Sequence, residues 1–289
     1  MQRGDKMADP KLEELKKFVG KSQTGRDVVT AHTIGKLAAT LDVDHPAPNP
    51  GDKVPHGWHG GFFPNFYRKA NMREDGQAAG GGVQPPIPLP RRRIGLTSAT
   101  YHDNLRIGDE ITRNIELKSV EILDRGAGPL VISTTRDSIS TPRGLAVVEE
   151  RSNLAFGPNG PGTFDPAPNP PANPTWKQEC PADLVQIWRL CAFRFNSHRI
   201  HFDRDYTTKK EGYAGIVVPV TLISQQMIEM CRQNVKRELA SFAYRSIEIV
   251  VDTGPYTLLG QPAADGASAQ FWCVNAEGKN ALHGEARLK

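Results

Sequence analysis

The spacing of apolar positions along the chain predicts one helix clearly and a second by the same pattern. Between residues 219 and 237, apolar side chains recur at helical spacing: Val220, Ile223, Met227 and Met230. Pro219 suits the first turn of this helix, because the N–H that proline lacks would have no intrahelical partner there. A similar apolar pattern predicts a helix over residues 24–41.

Strand-like patterns occur on both sides of the middle of the chain. The predicted strands cover residues 113–123, 129–137, 144–151, 185–195, 247–251, 271–275 and 281–288. Each half thus combines one main helix with several antiparallel strands, which predicts an α+β fold. The arrangement is compatible with a duplicated unit, although the two halves show no clear sequence repeat.

Two segments rich in glycine and proline separate these elements. Residues 75–90 (DGQAAGGGVQPPIPLP) contain four glycines and four prolines, so we expect a long ordered loop or flap there. Residues 158–181 contain eight prolines, which is typical of a stiff, extended connection between domains. We therefore predict an N-terminal unit at 1–160, a linker at 161–182 and a C-terminal unit at 183–289.

Composition narrows the function classes. The 289 residues carry 36 basic and 32 acidic side chains, and the net charge of +4 is too mild and too evenly spread to indicate a nucleic-acid partner. A mean hydropathy of −0.47 and the lack of any apolar run near 18 residues argue against a membrane span. The charged N-terminus shows no signal peptide, so we expect a cytoplasmic location, or the mitochondrial matrix in a eukaryote.

The four cysteines lie far apart and form no C-x-x-C pair: Cys180, Cys191, Cys231 and Cys273. This spacing favours reduced thiols over a disulfide framework or a zinc site. His198 and His201 are three residues apart, but no further ligand is evident near them, so we expect no bound metal.

Residues 193–222 concentrate groups with chemical capacity: FRFNSHRIHFDRDYTTKKEGYAGIVVPVTL. The patterns FN-x-HRIHFDRDY and EGY-x-G-x-VV resemble the second half of the MaoC-like double hot-dog hydratase/dehydratase family. They are most similar to its branch of mesaconyl-CoA and itaconyl-CoA hydratases and mitochondrial-type 3-hydroxyacyl thioester dehydratases. Further segments match that branch in the same order: WHGGFFP at 58–64, the loop from 75, LPRRR at 89–93, LRIGD at 105–109 and GLAVVEE at 144–150.

The resemblance implies two hot-dog units in one chain, each an antiparallel sheet around a long central helix. It also implies the addition of water to, or its removal from, a 2-enoyl thioester of CoA or acyl carrier protein, without another cofactor. The wider family's motif D-x-N-P-x-H falls on Asn196, His198, Arg199 and His201. The branch named above shares Asn at the first position, so this difference supports placement in that branch.

The roles follow from the reaction. His201 is the expected base and acid, because an imidazole titrates near neutral pH. Asn196 cannot accept the proton, but its amide can orient the attacking water. The N–H of Val220, at the start of a helix, is expected to donate to the thioester carbonyl. The family commonly has V-H-G-P at this turn, where the present chain has VPVT at 218–221.

The remaining site predictions carry structural alternatives. Around the thioester we predict Gly215, Tyr213, Arg199 and Trp58, although Gly215 could simply shape the turn and Trp58 could belong to the core. Arg92 and Arg93 are predicted to contact CoA phosphates, with a solvated basic face as the alternative. His198 is more readily a structural residue than a catalytic one.

The predicted function is therefore that of a hydro-lyase acting on a short, branched dicarboxylic acyl-CoA. Two alternatives stay open. One is a 3-hydroxyacyl carrier-protein dehydratase, and the other is a non-hydrating relative that binds acyl thioesters or acts in secondary metabolism. The unusual turn at 218–221 favours the non-hydrating relative, whereas Asn196 and His201 favour catalysis. The sequence leaves both a monomer and a homodimer open.

Overall fold

The computed structural model of this protein describes residues 10–289. The helices are α1 (Pro10–Glu13), α2 (Ala31–Leu41), α3 (Leu184–Phe193) and α4 (Val220–Asn234). The strands are β1 (Ser22–Val28), β2 (Arg91–Tyr101), β3 (Glu110–Asp124), β4 (Pro129–Thr141), β5 (Gly144–Phe156), β6 (Trp176–Cys180), β7 (Leu239–Ser246), β8 (Tyr256–Pro262), β9 (Ser268–Val274) and β10 (Asn280–Leu288). Short 3-10 turns cover Glu14–Phe18, Trp58–Gly61, Lys69–Asn71 and Arg199–His201, and a π-helical turn covers Tyr206–Lys210.

The strands form one antiparallel sheet in the order β1-β3-β4-β5-β2-β7-β10-β9-β8-β6. The N-terminal half contributes β1-β3-β4-β5-β2, and the C-terminal half contributes β6-β8-β9-β10-β7. These two orders match strand for strand, so the chain contains the same unit twice. The halves join where β2 pairs with β7, with Ala99 opposite Phe242. The predicted α+β class is confirmed.

Helix α4 is the long helix of the C-terminal half and packs on β7, β8, β9 and β10. Its inward face buries Ile223, Met227 and Met230, three of the four predicted positions, whereas Val220 is half-buried. The same apolar core contains residues of both halves, such as Leu37 of α2.

From residue 10 onwards, the N-terminal half contains no helix that corresponds to α4. Between α2 and β2, residues 42–90 contain only the two short turns at Trp58–Gly61 and Lys69–Asn71. Part of this segment packs against α4 instead, because Trp58 is fully buried and its Nε1 donates to Glu229 Oε1 at 2.6 Å. In chain order, the irregular segment stands between α2 and β2, at the position that α4 holds between α3 and β7 in the C-terminal half.

The predicted helix at 24–41 needs correction near its start. Residues 24–28 belong to strand β1, and the helix of the N-terminal half begins only at Ala31. The boundary is set by Thr30, whose side chain accepts a hydrogen bond from the Thr33 N–H at 3.1 Å.

The predicted strand at 185–195 is wrong, because this segment forms helix α3. Asp183 caps the helix by accepting a hydrogen bond from the Val185 N–H at 2.6 Å. The buried side chains Ile187, Leu190 and Cys191 follow helical spacing.

The predicted strand at 247–251 is also wrong. Strand β7 ends at Ser246, and within 247–251 only Val251 pairs with another strand-like residue, in a single bridge to Val217.

The other predicted elements are confirmed within a few residues. Helix α4 and strands β3, β4, β5, β9 and β10 form where the pattern placed them, and residues 75–90 contain no helix or strand. The patterns did not predict β1, β2, β6, β7 or β8. Strand β6 lies inside the predicted linker and pairs with β8, and the domain boundaries stay a prediction.

Across residues 10–289, no helix combines the length and the hydropathy that crossing a membrane requires.

Candidate active site

The residues of the motif lie in the connection between α3 and α4. Just after α3, Phe195 adopts a left-handed backbone conformation with φ of 52°, and the Asn196 N–H donates to the Cys191 carbonyl at 2.8 Å. This reverses the chain and begins the segment that carries His198 and His201. The 3-10 turn at Arg199–His201 then fixes the spacing of the two histidines.

His201 is held in one tautomer by the backbone. Its Nδ1 lies 2.7 Å from the Val217 carbonyl oxygen, and because a carbonyl only accepts, Nδ1 is assigned the proton. Nε2 therefore carries the lone pair that a base needs. Burial lowers the pKa of His201 to about 4, so the imidazole is neutral near pH 7 and able to accept a proton.

His198 lies edge to face with His201, with ring centroids 5.5 Å apart. Burial and the neighbouring His201 lower the pKa of His198 to about 3. The side-chain amide nitrogen of Gln77 lies 2.9 Å from Nδ1 of His198. The two histidines thus form a neutral pair, in which His198 supports the position of His201.

Asn196 presents a side-chain NH2 group that is available to bind a ligand. Its Oδ1 accepts a hydrogen bond from the His198 N–H at 3.1 Å, and its side-chain nitrogen has no hydrogen-bond partner among residues 10–289. Because the residue is exposed, the amide N–H groups can hold a water molecule or a polar group of a substrate.

The Gly-rich loop of the N-terminal half docks directly on the motif. The Asp75 carbonyl accepts the Arg199 N–H at 2.8 Å, and the Ser197 hydroxyl donates to the Gly76 carbonyl at 2.7 Å. Gly76 has φ of 82°, and a Cβ there would overlap the Ser197 carbonyl. The loop and the motif are therefore closely fitted, and the site is built from both halves.

Asp75 and Gln77 are members of the site that no sequence pattern identified individually. Asp75 forms an ion pair with Arg73. Burial alone would raise the pKa of Asp75, but the hydrogen bonds from Arg73 and Gln77 hold that pKa below its usual value. The available signal was the Asp75-Gly76 pair and its loop, which match the family branch in order but do not indicate which residues they contact.

The N-terminus of α4 offers two backbone donors. Pro219 is the cap residue, and its carbonyl accepts the Leu222 N–H at 2.8 Å. In the described part of the chain, the N–H groups of Val220 and Thr221 have no acceptor. The helix begins three residues after Val217, whose carbonyl orients His201. A common segment therefore fixes the base and the donors.

Arg199 and Tyr213 stabilise the loop after the motif. The Arg199 guanidinium donates to Asp203 Oδ2 at 3.0 and 2.8 Å and lies over the Tyr206 ring at 4.1 Å. Tyr213 packs in a small apolar cluster with Ile200, and burial raises its pKa.

Gly215 and Trp58 lie in well-packed surroundings. A side chain at Gly215 would collide with the carboxylate of Asp252. Trp58 lies in the core with its indole N–H bonded to Glu229, so its contacts belong to the packing of α4.

Arg92 and Arg93 are neighbours on β2 and therefore point to opposite faces of the sheet. Arg92 donates to the Ile87 carbonyl at 3.1 Å, and Arg93 donates to the Ile247 carbonyl at 3.2 Å. Burial lowers the pKa of both guanidinium groups. The structure does not bring these two groups to one surface, and a contact with CoA stays a prediction.

Comparison with known proteins identifies the family. A model of the family described as "Hydroxyacyl-thioester dehydratase type 2" matches residues 57–252. A protein named mesaconyl-C(4)-CoA hydratase, from Chloroflexus aurantiacus, is 30% identical over 252 residues, which is 86% of this chain and 89% of that protein. The chain belongs to the hydroxyacyl-thioester dehydratase type 2 family.

Solved structures agree on the fold of this dehydratase-family chain. HtdX from Mycobacterium tuberculosis superposes with a TM-score of 0.65 at 14% identity, covering 92% of this chain and 99% of HtdX. A conserved hypothetical protein of the same organism, described as having a double hot-dog fold, superposes with a TM-score of 0.55 at 12% identity and covers 96% of this chain and 98% of its own. The family model and the relative from Chloroflexus aurantiacus confirm the predictions of the family and of a hydro-lyase, and the solved structures confirm the double hot-dog fold.

The geometry of the dehydratase-family site supplies the groups that hydration needs. It offers a neutral imidazole with a free Nε2, an amide able to hold water, and two unpaired backbone donors at the start of a helix. Within residues 10–289, no three histidine, cysteine, aspartate or glutamate side chains are grouped so as to hold a metal ion.

Proposed function

We propose that this chain adds water to, or removes it from, a short, branched dicarboxylic acyl-CoA thioester of the mesaconyl or itaconyl type. The observation that carries the proposal is the fixed tautomer of His201, which leaves Nε2 available as a base beside the residues of the hydratase motif. The name of the relative from Chloroflexus aurantiacus, a mesaconyl-C(4)-CoA hydratase, supports the choice of this acyl group.

In the proposed mechanism, the Asn196 amide holds a water molecule near the double bond. Nε2 of His201 accepts a proton from that water as its oxygen bonds to C3 of the enoyl group. Negative charge develops on the thioester oxygen, where the N–H groups of Val220 and Thr221 stabilise it with the help of the helix dipole. The imidazolium then returns its proton to C2, so that the elements of one water molecule are added and the enzyme is regenerated. Dehydration follows the same steps in reverse.

The direct test is a panel of crotonyl-, mesaconyl- and itaconyl-type CoA thioesters, with loss of the enoyl absorbance as the readout. We expect the dicarboxylic thioesters to be hydrated with a higher kcat/KM than the crotonyl thioester. Turnover of a 3-hydroxyacyl thioester only when it is attached to acyl carrier protein would support the carrier-protein dehydratase instead. Binding of a thioester without turnover of any would support the non-hydrating relative.

The remaining features of the proposal concern the surroundings of the reaction. CoA enters as part of the substrate, and we propose that no metal or separate cofactor takes part. A cytoplasmic location and the choice between a monomer and a homodimer stay predictions.

A further inference from the structure

A polar cavity lies between residues 59–65 and strands β3, β4 and β5 of the N-terminal half and the end of α3. Its volume is about 100 Å³. Its ionisable side chains come from separate parts of the chain: His59, Arg113, Asp137, Glu149, Arg151 and Arg194. We call it the arginine cavity. No role for any of these six residues follows from the sequence patterns alone.

The acidic groups of the arginine cavity do not balance its three guanidinium groups. Glu149 is paired on both oxygens, with His59 Nε2 at 3.0 Å and Arg151 Nη2 at 2.5 Å. Burial alone would raise the pKa of Glu149, but Arg151 and His59 hold that pKa well below its usual range. Burial raises the pKa of the other carboxyl, Asp137. Because arginine stays protonated, the cavity keeps an excess of positive charge.

Arg194 is the guanidinium of the cavity without a hydrogen-bonded partner. Its guanidinium forms no hydrogen bond or ion pair with any residue between 10 and 289. Burial and the nearby Arg151 lower its pKa, and the carboxylate of Glu149 opposes that shift only in part. A guanidinium placed this way is stabilised when an anion binds next to it.

Other polar atoms of the cavity also lack partners. Arg113 Nε and Arg151 Nε are buried donors without a hydrogen bond in the described residues, and two further buried atoms there, His59 Nδ1 and Asp137 Oδ1, also lack a partner. Gly60 allows the close approach of Arg194, because a Cβ there would meet its Nη1. The cavity thus combines unused guanidinium donors with a backbone shaped to admit a guanidinium.

We propose that the arginine cavity binds a carboxylate group of the acyl substrate. A planar carboxylate matches the fork of a guanidinium, which can donate two parallel hydrogen bonds to it. An apolar cavity of about 150 Å³ holds benzene, so the smaller volume here suits a group of a few heavy atoms. Apolar side chains next to the charges, among them Phe62, Ile139 and Phe193, suit the carbon atoms beside a carboxylate.

The cavity adjoins the motif through the chain itself. Arg194 precedes Asn196 by two residues, so their Cα atoms lie within about 7.6 Å of each other. In a mesaconyl- or itaconyl-type thioester, only a few bonds separate the free carboxylate from the double bond. The identification of the bound group as this distal carboxylate rests on the proposed function. The carboxylate site itself rests on the cavity alone.

A binding measurement tests the site without catalysis. Mesaconate and the neutral crotonamide are titrated by calorimetry into the wild type, Arg194→Gln, Arg194→Lys and the control Arg287→Gln, whose arginine is 74% exposed. We expect mesaconate, and not crotonamide, to bind the wild type and the control. Arg194→Gln should weaken the binding of mesaconate at least about 10-fold, the usual scale for a charge-assisted hydrogen bond. Arg194→Lys should weaken this binding less. Equal binding to the wild type and Arg194→Gln, or no binding to the wild type, would overturn the proposal.

A kinetic measurement separates this proposal from the proposed function. The readout is the ratio of kcat/KM for mesaconyl-CoA to that for crotonyl-CoA. A structural defect would lower both values and leave the ratio unchanged, whereas loss of a carboxylate contact lowers the ratio, by about 10-fold or more in Arg194→Gln. A wild-type protein that binds mesaconate through Arg194 but hydrates no thioester would support the cavity and refute the proposed function. Hydration of mesaconyl-CoA with an unchanged ratio in Arg194→Gln would refute the cavity alone.

Discussion

At the scale of single residues, two local features prepare His201 for its proposed role. The Val217 carbonyl assigns the proton to Nδ1, and burial keeps the imidazole neutral over most of the pH range. The side chain therefore needs no carboxylate partner to act as a base. A free histidine, in contrast, would be half protonated near pH 6.5 and would exist in two tautomers.

The pH dependence of the reaction should report this environment. The pKa of His201 is about 4, so the base is lost only as the pH falls through that value. We predict that the acid limb of kcat/KM has an apparent pKa near 4 in the wild type. In Asn196→Ala, kcat should fall roughly 10- to 100-fold, because the water is no longer oriented, while the acid limb stays in place. A limb that moves or vanishes in this variant would show that Asn196 tunes or replaces the base.

Only part of the site could be predicted at this scale. Asn196 and His201 lie five positions apart, so a short sequence pattern can hold both. Gln77, in contrast, contacts His198 across 121 positions, and no local pattern encodes such a contact. The fitting of Gly76 against the Ser197 carbonyl is equally a product of tertiary packing.

At the scale of structural elements, the docked loop is the feature most sensitive to one added methyl group. Gly76→Ala should lower the free energy of unfolding by about 1–3 kcal/mol more than Gly81→Ala does, which is the usual cost of overpacking. Both glycines have positive φ, 82° and 117°, but a Cβ at Gly81 would meet only the Tyr67 ring, at 4.0 Å. Denaturant unfolding of both variants checks this, and equal destabilisation would show that the loop is not tightly docked.

The first turn of α4 provides a prediction about specificity. Val220 carries a β-branched side chain beside the two free N–H groups, where the family commonly has glycine. We predict that Val220→Gly changes the order of preference among crotonyl-, mesaconyl- and itaconyl-type CoA thioesters, because a glycine lets the acyl group approach the backbone more closely. Unchanged preference, with rates within a few-fold of the wild type, would show that the helix merely begins differently.

The two wrong strand predictions have physical reasons at this scale. Helix α3 has exposed apolar side chains on its outer face, including Val185 and Trp188 at 60% and 62% exposure. The outer face therefore hides the helical period of the buried residues, and the segment resembles a continuous apolar strand. Residues 247–251 alternate as a strand would, but β7 has already ended at Ser246.

At the scale of the whole molecule, the two halves have the same strand order but differ in the segment that follows their first helix. The C-terminal half keeps the long helix α4 and supplies the motif. In the N-terminal half, the irregular segment 42–90 takes the place of such a helix and supplies both the docked loop and one wall of the arginine cavity. The duplicated fold thus supports one site built by both halves.

The proposed reaction also predicts independence from metal ions. A base and backbone donors suffice for hydration, and the described residues contain no grouped set of metal-ligating side chains. Prior treatment with a chelator, followed by its removal, should leave the rate of hydration unchanged. Stoichiometric zinc in the purified protein, with activity lost when the zinc is removed, would contradict this prediction.

The most direct test of the central claim is the rate of hydration of an enoyl-CoA by His201→Ala. The control is His32→Ala, since His32 is an exposed residue of α2. If Nε2 of His201 is the base, kcat should fall at least about 10²-fold in His201→Ala, the usual scale for general-base catalysis. The circular dichroism spectrum of that variant and the rate of His32→Ala should both match the wild type. A folded His201→Ala variant that hydrates the same thioester at nearly the wild-type rate would contradict the assignment of His201 as the base.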